Sequence, residues 1–137
     1  REVMETYLGS SDFEICDFAA TDQRADVDFA ALRDFLDKNG EDFSSVVIQN
    51  PSFIGVISDL EQISKVVREK SDALLVLVVT EPHSLSLFKK PGDLDFDIVC
   101  GEGTSFGTAP NFSGPGFGFF ASKMSHVRQL PGRICVP

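Results

Sequence analysis

Tryptophan is absent from these 137 residues, tyrosine occurs once, and histidine and methionine occur twice each. Basic side chains are also scarce, 12 against 21 acidic, for a formal net charge of −9. The strongest basic cluster is Lys89-Lys90, so the chain lacks the electrostatic footprint that phosphate backbones require, and no nucleic-acid partner is expected. No apolar run approaches the roughly 18 to 20 residues that span a bilayer, and no basic-then-apolar leader opens the chain. These absences predict a soluble protein, cytoplasmic if bacterial, with no membrane partner. Cysteine is limited to Cys16, Cys100 and Cys135, an odd number, far apart, with no CxxC pair and no histidine at ligand spacing. They read as buried free thiols, and no metal site is expected.

What the chain does have is an ordinary globular composition, 42% hydrophobic with 13 phenylalanines, enough for one packed domain. Without tryptophan the aromatics suit a core and helix faces better than a base-stacking platform. The charge is lopsided. Residues 1–69 hold 6 basic and 15 acidic side chains, residues 70–137 hold 6 of each. The acidic half reads as a solvated exterior and the neutral half as the surface for protein contacts. The chain starts at Arg1 inside the helix-like REVMETYL and stops at Pro137 after the apolar ICV; both ends are expected to be cuts through a larger protein.

Strands and helices alternate along the sequence. A short β-like pattern at 13–16 precedes a polar stretch at 21–26. Phe29, Leu32, Phe35 and Leu36 then recur at helical spacing, with Asp26 or Asp28 as the cap and Asn39-Gly40 as the stop. Val46 to Ile48 form a second strand ending at Asn50-Pro51. Ser58 with Glu61 is a capping-box signature for a helix whose buried stripe is Leu60, Ile63, Val66 and Val67. Residues 73–79, ALLVLVV, are apolar throughout, which suits a central parallel strand covered on both faces. A short helix is expected near 84–88, a fourth strand at 96–100, a fifth at 117–121, and a last helix from Lys123 to just before Pro131-Gly132. The Gly-rich connection before the fifth strand is too short for a crossover helix, which leaves an antiparallel course open for it. The expected fold class is α/β, a mostly parallel sheet with helices on both faces.

Ligands of such sheets gather outside the carboxyl ends of the strands. Three segments follow strands and should share that rim: 49–51 (QNP), 80–84 (TEPHS) and 100–107 (CGEGTSFG). Gly101, Gly103 and Gly107 are spaced GxGxxxG, with Pro110-Asn111 where a helix should open, so neither a dinucleotide fingerprint nor a Walker A loop is present. The run 113–118, SGPGFG, reads as a tight connection needing positive φ. His126 is an ordinary helix residue, whereas His83 sits on the rim within reach of a ligand. Lys89 and Lys90, flanking Pro91-Gly92, read as a solvated turn.

Four segments, VVIQNPSFIGVISDLEQI (46–63), SLFKKPGDLDFDIVCGEGTSFG (86–107), FSGPGFGFFASK (112–123) and VRQLPGRI (127–134), are spread over residues 46–134, about two-thirds of the chain. In content, order and spacing they resemble the first half, or first subunit, of glycine dehydrogenase (decarboxylating), the P-protein of the glycine cleavage system. QNPxFxGVIxDLE and VRQxPGRI are the specific motifs. The resemblance implies the aspartate-aminotransferase-like fold of pyridoxal-phosphate (PLP) enzymes, fold type I, with residues 1–137 a single partial domain from the centre of the large domain.

In the PLP-binding half of this family, the strand after a DxV segment leads to a His-Lys pair whose lysine forms the Schiff base. Laying DIVCGEGTS on that segment puts Thr104-Ser105 where His-Lys would be. A serine hydroxyl cannot form an imine, and Lys123 lies beyond the Gly-rich loop, so no catalytic residue is expected in this chain and no cofactor bound covalently. PLP belongs to the complete enzyme. Glu81-Pro82 replaces the Asp-Pro usual after the central strand; a rim carboxylate is the plainer reading of Glu81 than a cofactor ligand.

By the same resemblance, the complete enzyme decarboxylates glycine and passes the aminomethyl group to the lipoyl arm of H-protein. The expected partners are the PLP-bearing half or subunit and, for the whole enzyme, lipoylated H-protein. Asn50, Glu81, His83 and Ser105 are the candidate active-site rim or partner contacts. The competing reading is a non-catalytic scaffold whose rim is filled by its own side chains. The family's sheet also has a strand between the first and second strands of this piece, so the isolated chain is expected to be weakly stable or to oligomerise.

Overall fold

The computed structural model describes residues 2–18, 26–39, 42–109, 115–130 and 132. Outside them lie most of the polar stretch at 21–26, Gly40, Pro110-Asn111, Ser113-Gly114, Pro131 and the tail with Cys135. Helix α1 spans Glu2–Leu8 and buries no residue. Helix α2, Phe29–Asn39, starts at Asp28, whose Oδ1 accepts from the backbone N–H of Ala30 (3.0 Å) and Ala31 (3.1 Å). A carboxylate there satisfies donors that the first turn leaves unpaired.

Strands β1 (Ser45–Gln49), β2 (Leu74–Val79), β3 (Ile98–Glu102) and β4 (Gly118–Ser122) form one sheet in the order β1-β2-β3-β4. The first three are mutually parallel and β4 pairs antiparallel with β3. Helix α3, Leu60–Lys70, connects β1 to β2. Its cap is Asp59, whose side chain accepts from Gln62 N at 3.0 Å, and this corrects the expected capping box at Ser58. Ser58 is engaged elsewhere: its N–H donates to Asn50 Oδ1 and its hydroxyl to Asp26 Oδ1. The short helices expected near 84–88 and after Lys123 are 3-10 segments, Pro82–Leu87 and Met124–Gln129.

The core lies where α2 and α3 meet one face of the sheet. Leu32 and Leu36 from α2, and Leu60, Ile63, Val66 and Val67 from α3, cluster with Leu75, Leu77, Val79 and Phe96. Side chains alternate across a strand, so Leu74, Val76 and Val78 face the other way and are only half-buried. Four of these apolar side chains, Leu60, Ile63, Val66 and Val67, come from α3 and are 0 to 2% exposed, so their burial holds helix to sheet at about 25 cal/mol per Å² of apolar surface. Gly101 allows β3 to lie against β2, since a Cβ on it would stand 1.9 Å from the Val79 carbonyl oxygen.

Residues 13–16 are not a strand. A strand needs a neighbour to take its N–H and C=O groups, and the β1 edge is not paired with this segment. The same displacement leaves Cys16 exposed, against the expectation of a buried thiol, while Cys100 is half-buried; both are free. Burial pushes the Cys100 thiol pKa up, consistent with an unreactive thiol.

Candidate functional site

Because β1, β2 and β3 run parallel, with Gln49 beside Val78 and Val79 beside Gly101, their carboxyl ends open on one rim. All three expected segments are there. The structure brings Glu81, His83 and Ser105 together. Glu81 Oε1 accepts from the His83 backbone N–H and Oε2 from the Ser105 hydroxyl, each at 3.1 Å. Glu81 is also the cap of the 3-10 segment Pro82–Leu87, which explains why a carboxylate followed by proline stands at this strand end.

The His83 ring meets Phe106 edge-on, with centroids 6.1 Å apart, and Phe106 meets Phe119 at 6.3 Å. An aromatic file thus leads from the rim toward β4. Phe106 and Phe119 were not singled out from the sequence; their signal was only their place on either side of the Gly-rich connection. Beside them Glu102 accepts from the backbone N–H (2.9 Å) and hydroxyl of Thr104, and these bonds hold its carboxyl below the usual range.

Asn50 is set apart from this group. It is fully buried, its N–H donates to Val78 O and its Oδ1 accepts from Ser58 N, both at 2.9 Å. Its Nδ2 has no hydrogen-bond partner among the described residues. The peptide bond to Pro51 is cis. Asn50 therefore braces the root of the 51–58 loop through Val78 and Ser58, apart from the Glu81–His83–Ser105 group.

The fit of a covalently held PLP turns on a free amine. Ser105 Oγ is a hydroxyl and donates to the Glu81 carboxylate. Lys89 and Lys65 converge on Glu61, and their hydrogen bonds hold that carboxyl down at about 2; Lys70 pairs with Asp37. Lys123 follows β4, whose end lies beside Ile98, the amino end of β3. The rim is a whole strand away, about 15 Å at 3.3 Å per residue. Burial opposes charge on Lys123, but its bonds to Asp95 and Asp97 prevail and raise its pKa. None of Lys65, Lys70, Lys89 and Lys123 therefore offers an unengaged amine at the rim.

The amino end of the sheet carries a second cluster, which sequence reasoning missed. Asp97, only 7% exposed, accepts from Leu75 N at 2.8 Å, from Arg68 Nη2 at 2.5 Å, and pairs with Lys123 Nζ at 2.9 Å. Arg68 also donates to the carbonyls of Ala73 (2.8 Å) and Asp95 (2.7 Å). Its Nε lies 3.0 Å from Asp95 Oδ2 as a charge contact. Burial pushes the Asp97 carboxyl up, yet the Leu75 N–H, Arg68 and Lys123 outweigh it and hold the pKa at about 2. The donors come from α3 (Arg68), β2 (Leu75) and the residue after β4 (Lys123), so the cluster ties these to Asp97 at the entry to β3. Among the described residues no group of three or more His, Cys, Asp or Glu could hold a metal ion, and no helix is long and apolar enough to cross a membrane.

A mostly parallel sheet with polar loops at its carboxyl edge defines an α/β protein. The family model for the glycine cleavage system P-protein matches residues 1–136, and the chain belongs to that family. It is 43% identical over 135 residues to the probable glycine dehydrogenase (decarboxylating) subunit 1 of Erythrobacter litoralis, covering 98% of this chain and 28% of that protein. The corresponding subunit of Geotalea uraniireducens is 40% identical over 136 residues, covering 98% and 29%; that of Rhizorhabdus wittichii is 50% identical over 91 residues, covering 66% and 20%. A crystal structure of glycine decarboxylase (P-protein) of the glycine cleavage system, in inhibitor-bound form, superposes with a TM-score of 0.61 at 44% identity, over 69% of this chain and 21% of that one. The chain spans between a fifth and three-tenths of the length of these relatives.

Proposed function

We propose that this chain is a single partial domain of the non-lysine subunit of a two-subunit glycine dehydrogenase, and that its rim supports the active site of the PLP-bearing partner. The complete enzyme then decarboxylates glycine and transfers the aminomethyl group to the lipoyl group of H-protein. PLP, held by the partner, supplies the electron sink for loss of CO₂. This chain's own part is to shape and close the site: Glu81 fixes the 80–84 turn, the turn and Phe106 fix His83, and Asn50 fixes the loop after β1.

The observation that carries this reading is the Glu81–Ser105 hydrogen bond at the carboxyl rim. Where an amine would be needed, the chain has a hydroxyl already engaged by a carboxylate. That arrangement suits a supporting surface and gives no nucleophile.

The full-length subunit mixed with its PLP-bearing partner tests the proposal. Changing Glu81 and His83 together to Ala should lower glycine-dependent CO₂ release by about tenfold or more while the complex still assembles. Unchanged release from an assembled complex would instead favour the scaffold reading. One observation speaks for the scaffold: both Glu81 oxygens are taken by the chain's own donors.

A further inference from the structure

His83 is held on its main chain by hydrogen bonds and on its ring by an aromatic contact. Its N–H donates to Glu81 Oε1 at 3.1 Å, and its carbonyl accepts from the Ser86 hydroxyl at 2.8 Å. Ser84 closes the same turn, its N–H (3.1 Å) and hydroxyl (2.6 Å) both donating to Glu81 O. Those bonds fix where the side chain starts but not where it points, since rotation about χ1 and χ2 leaves them intact. The direction comes from Phe106, whose ring the imidazole meets edge-on at 6.1 Å and 76°, within the range where aromatic pairs attract.

Phe106 is 56% exposed, and one exposed aromatic ring is ordinary. What sets this one apart is that it bridges two elements. Behind it, at 6.3 Å, stands Phe119, in β4 opposite Gly101 and packed against the core. The main chain around Phe106 is fixed as well. Its N–H donates to Gly103 O at 2.9 Å, Thr104 N–H donates to Glu102 Oε1 at 2.9 Å, and Gly107 ends the turn at φ 129°, a value that favours glycine. We infer that Phe106 and Phe119 are positioning residues: together they hold the His83 imidazole in one orientation. Strand β4 thereby sets the direction of a side chain rooted after β2, two strands away in the sheet. The inference rests on the proposed function, which gives His83 its part in glycine chemistry. All three rings belong to this chain, and their mutual contacts need no partner surface.

The test uses the full-length subunit assembled with its PLP-bearing partner and reads kcat/KM for glycine-dependent CO₂ release. Phe106→Leu keeps apolar bulk but removes the ring. The productive His83 rotamer is then less populated, and kcat/KM should fall about fivefold, the worth of one edge-on aromatic pair. Phe106→Tyr, whose hydroxyl can reach water, should stay near wild type, and Phe119→Leu should act in the same direction as Phe106→Leu. Coupling separates positioning from general support. In a His83→Ala background Phe106→Leu should have no further effect, because the ring it orients is gone. The melting temperature of the Phe106→Leu subunit should stay near the wild-type value, since the residue is more than half exposed. Three results would overturn the inference: unchanged kcat/KM in Phe106→Leu, an effect that adds in full to that of His83→Ala, or a loss of release that tracks a fallen melting temperature. If Glu81→Ala with His83→Ala leaves release unchanged in an assembled complex, the proposed function falls and the positioning role with it. If that double variant lowers release while Phe106→Leu does not, only the positioning role falls.

Discussion

Asp97→Asn should cost this chain about as much stability as any single polar substitution in it. The carboxylate meets Leu75 N–H, Arg68 and Lys123 at 2.5 to 2.9 Å, in a site where its side chain is 8% exposed. Folding lowers its pKa from the ordinary 3.8 to about 2, which by linkage is about 2 kcal/mol at neutral pH. The amide removes the charge and turns an N–H₂ toward two cations, so the total loss at pH 7 is about 3 kcal/mol. Domains are stable by only about 5 to 15 kcal/mol. The assay is urea unfolding followed by far-UV circular dichroism at a series of pH values. A depressed carboxylate stabilises fully above its unfolded pKa and loses that contribution as pH falls through the folded one. The difference between wild type and mutant should thus be whole above pH 5 and shrink between pH 4 and 2. A mutant that unfolds with the wild-type midpoint at pH 7, or a difference that does not change with pH, would refute the assignment.

Gly101→Ala puts a methyl 1.9 Å from the Val79 carbonyl oxygen; β2 and β3 must part, and the urea midpoint should fall by the equivalent of about 3 kcal/mol. Asp59→Ala removes the α3 cap and should cost about 1 kcal/mol in the same assay, with Ser58→Ala costing less by way of the cap. Borohydride reduction of the PLP-loaded complex followed by peptide mapping should place no pyridoxyl group on any lysine of residues 1–137. The isolated chain, whose β1 edge has no strand partner on one side among the described residues, should melt at a temperature that rises with protein concentration; a sharp, concentration-independent transition of a monomer would count against this.

The parallel core was legible because its signals are local. ALLVLVV is too uniformly apolar for a surface strand, and Leu60, Ile63, Val66 and Val67 can share a face only on a helix. The rim followed by topology, since three parallel strands must end on the same side. The failures arise where a residue's partner lies far along the chain or outside it. The pattern at 13–16 looks like a strand, but pairing is not a property of one segment. Ser58 satisfies the capping-box pattern, yet Asp26, 32 residues away, takes its hydroxyl, and Asp59 makes the cap. Asp97 joins Arg68 across 29 residues. Its trace in the sequence was only three alternating acids, Asp93, Asp95 and Asp97, interleaved with Leu94, Phe96 and Ile98. Glu81 and Ser105 were named for their places on the rim, and their hydrogen bond required the third dimension.

The two ends of the sheet divide the chain's work. At the amino end, the Asp97 carboxylate gathers three donors, Leu75 N–H, Arg68 and Lys123, into one buried cluster. At the carboxyl end the polar groups of Glu81 and Ser105 answer each other, while Phe106 and Phe119 stand behind His83. Substitutions should therefore separate by location. Asp97→Asn lowers the urea midpoint and, wherever the subunit is still folded, leaves glycine-dependent CO₂ release by the assembled pair near wild type. Glu81→Ala with His83→Ala, at the exposed rim, does the reverse. If instead both variants lost activity in proportion to lost stability, the rim would owe its effect to overall folding alone, and the division argued from the geometry would be wrong.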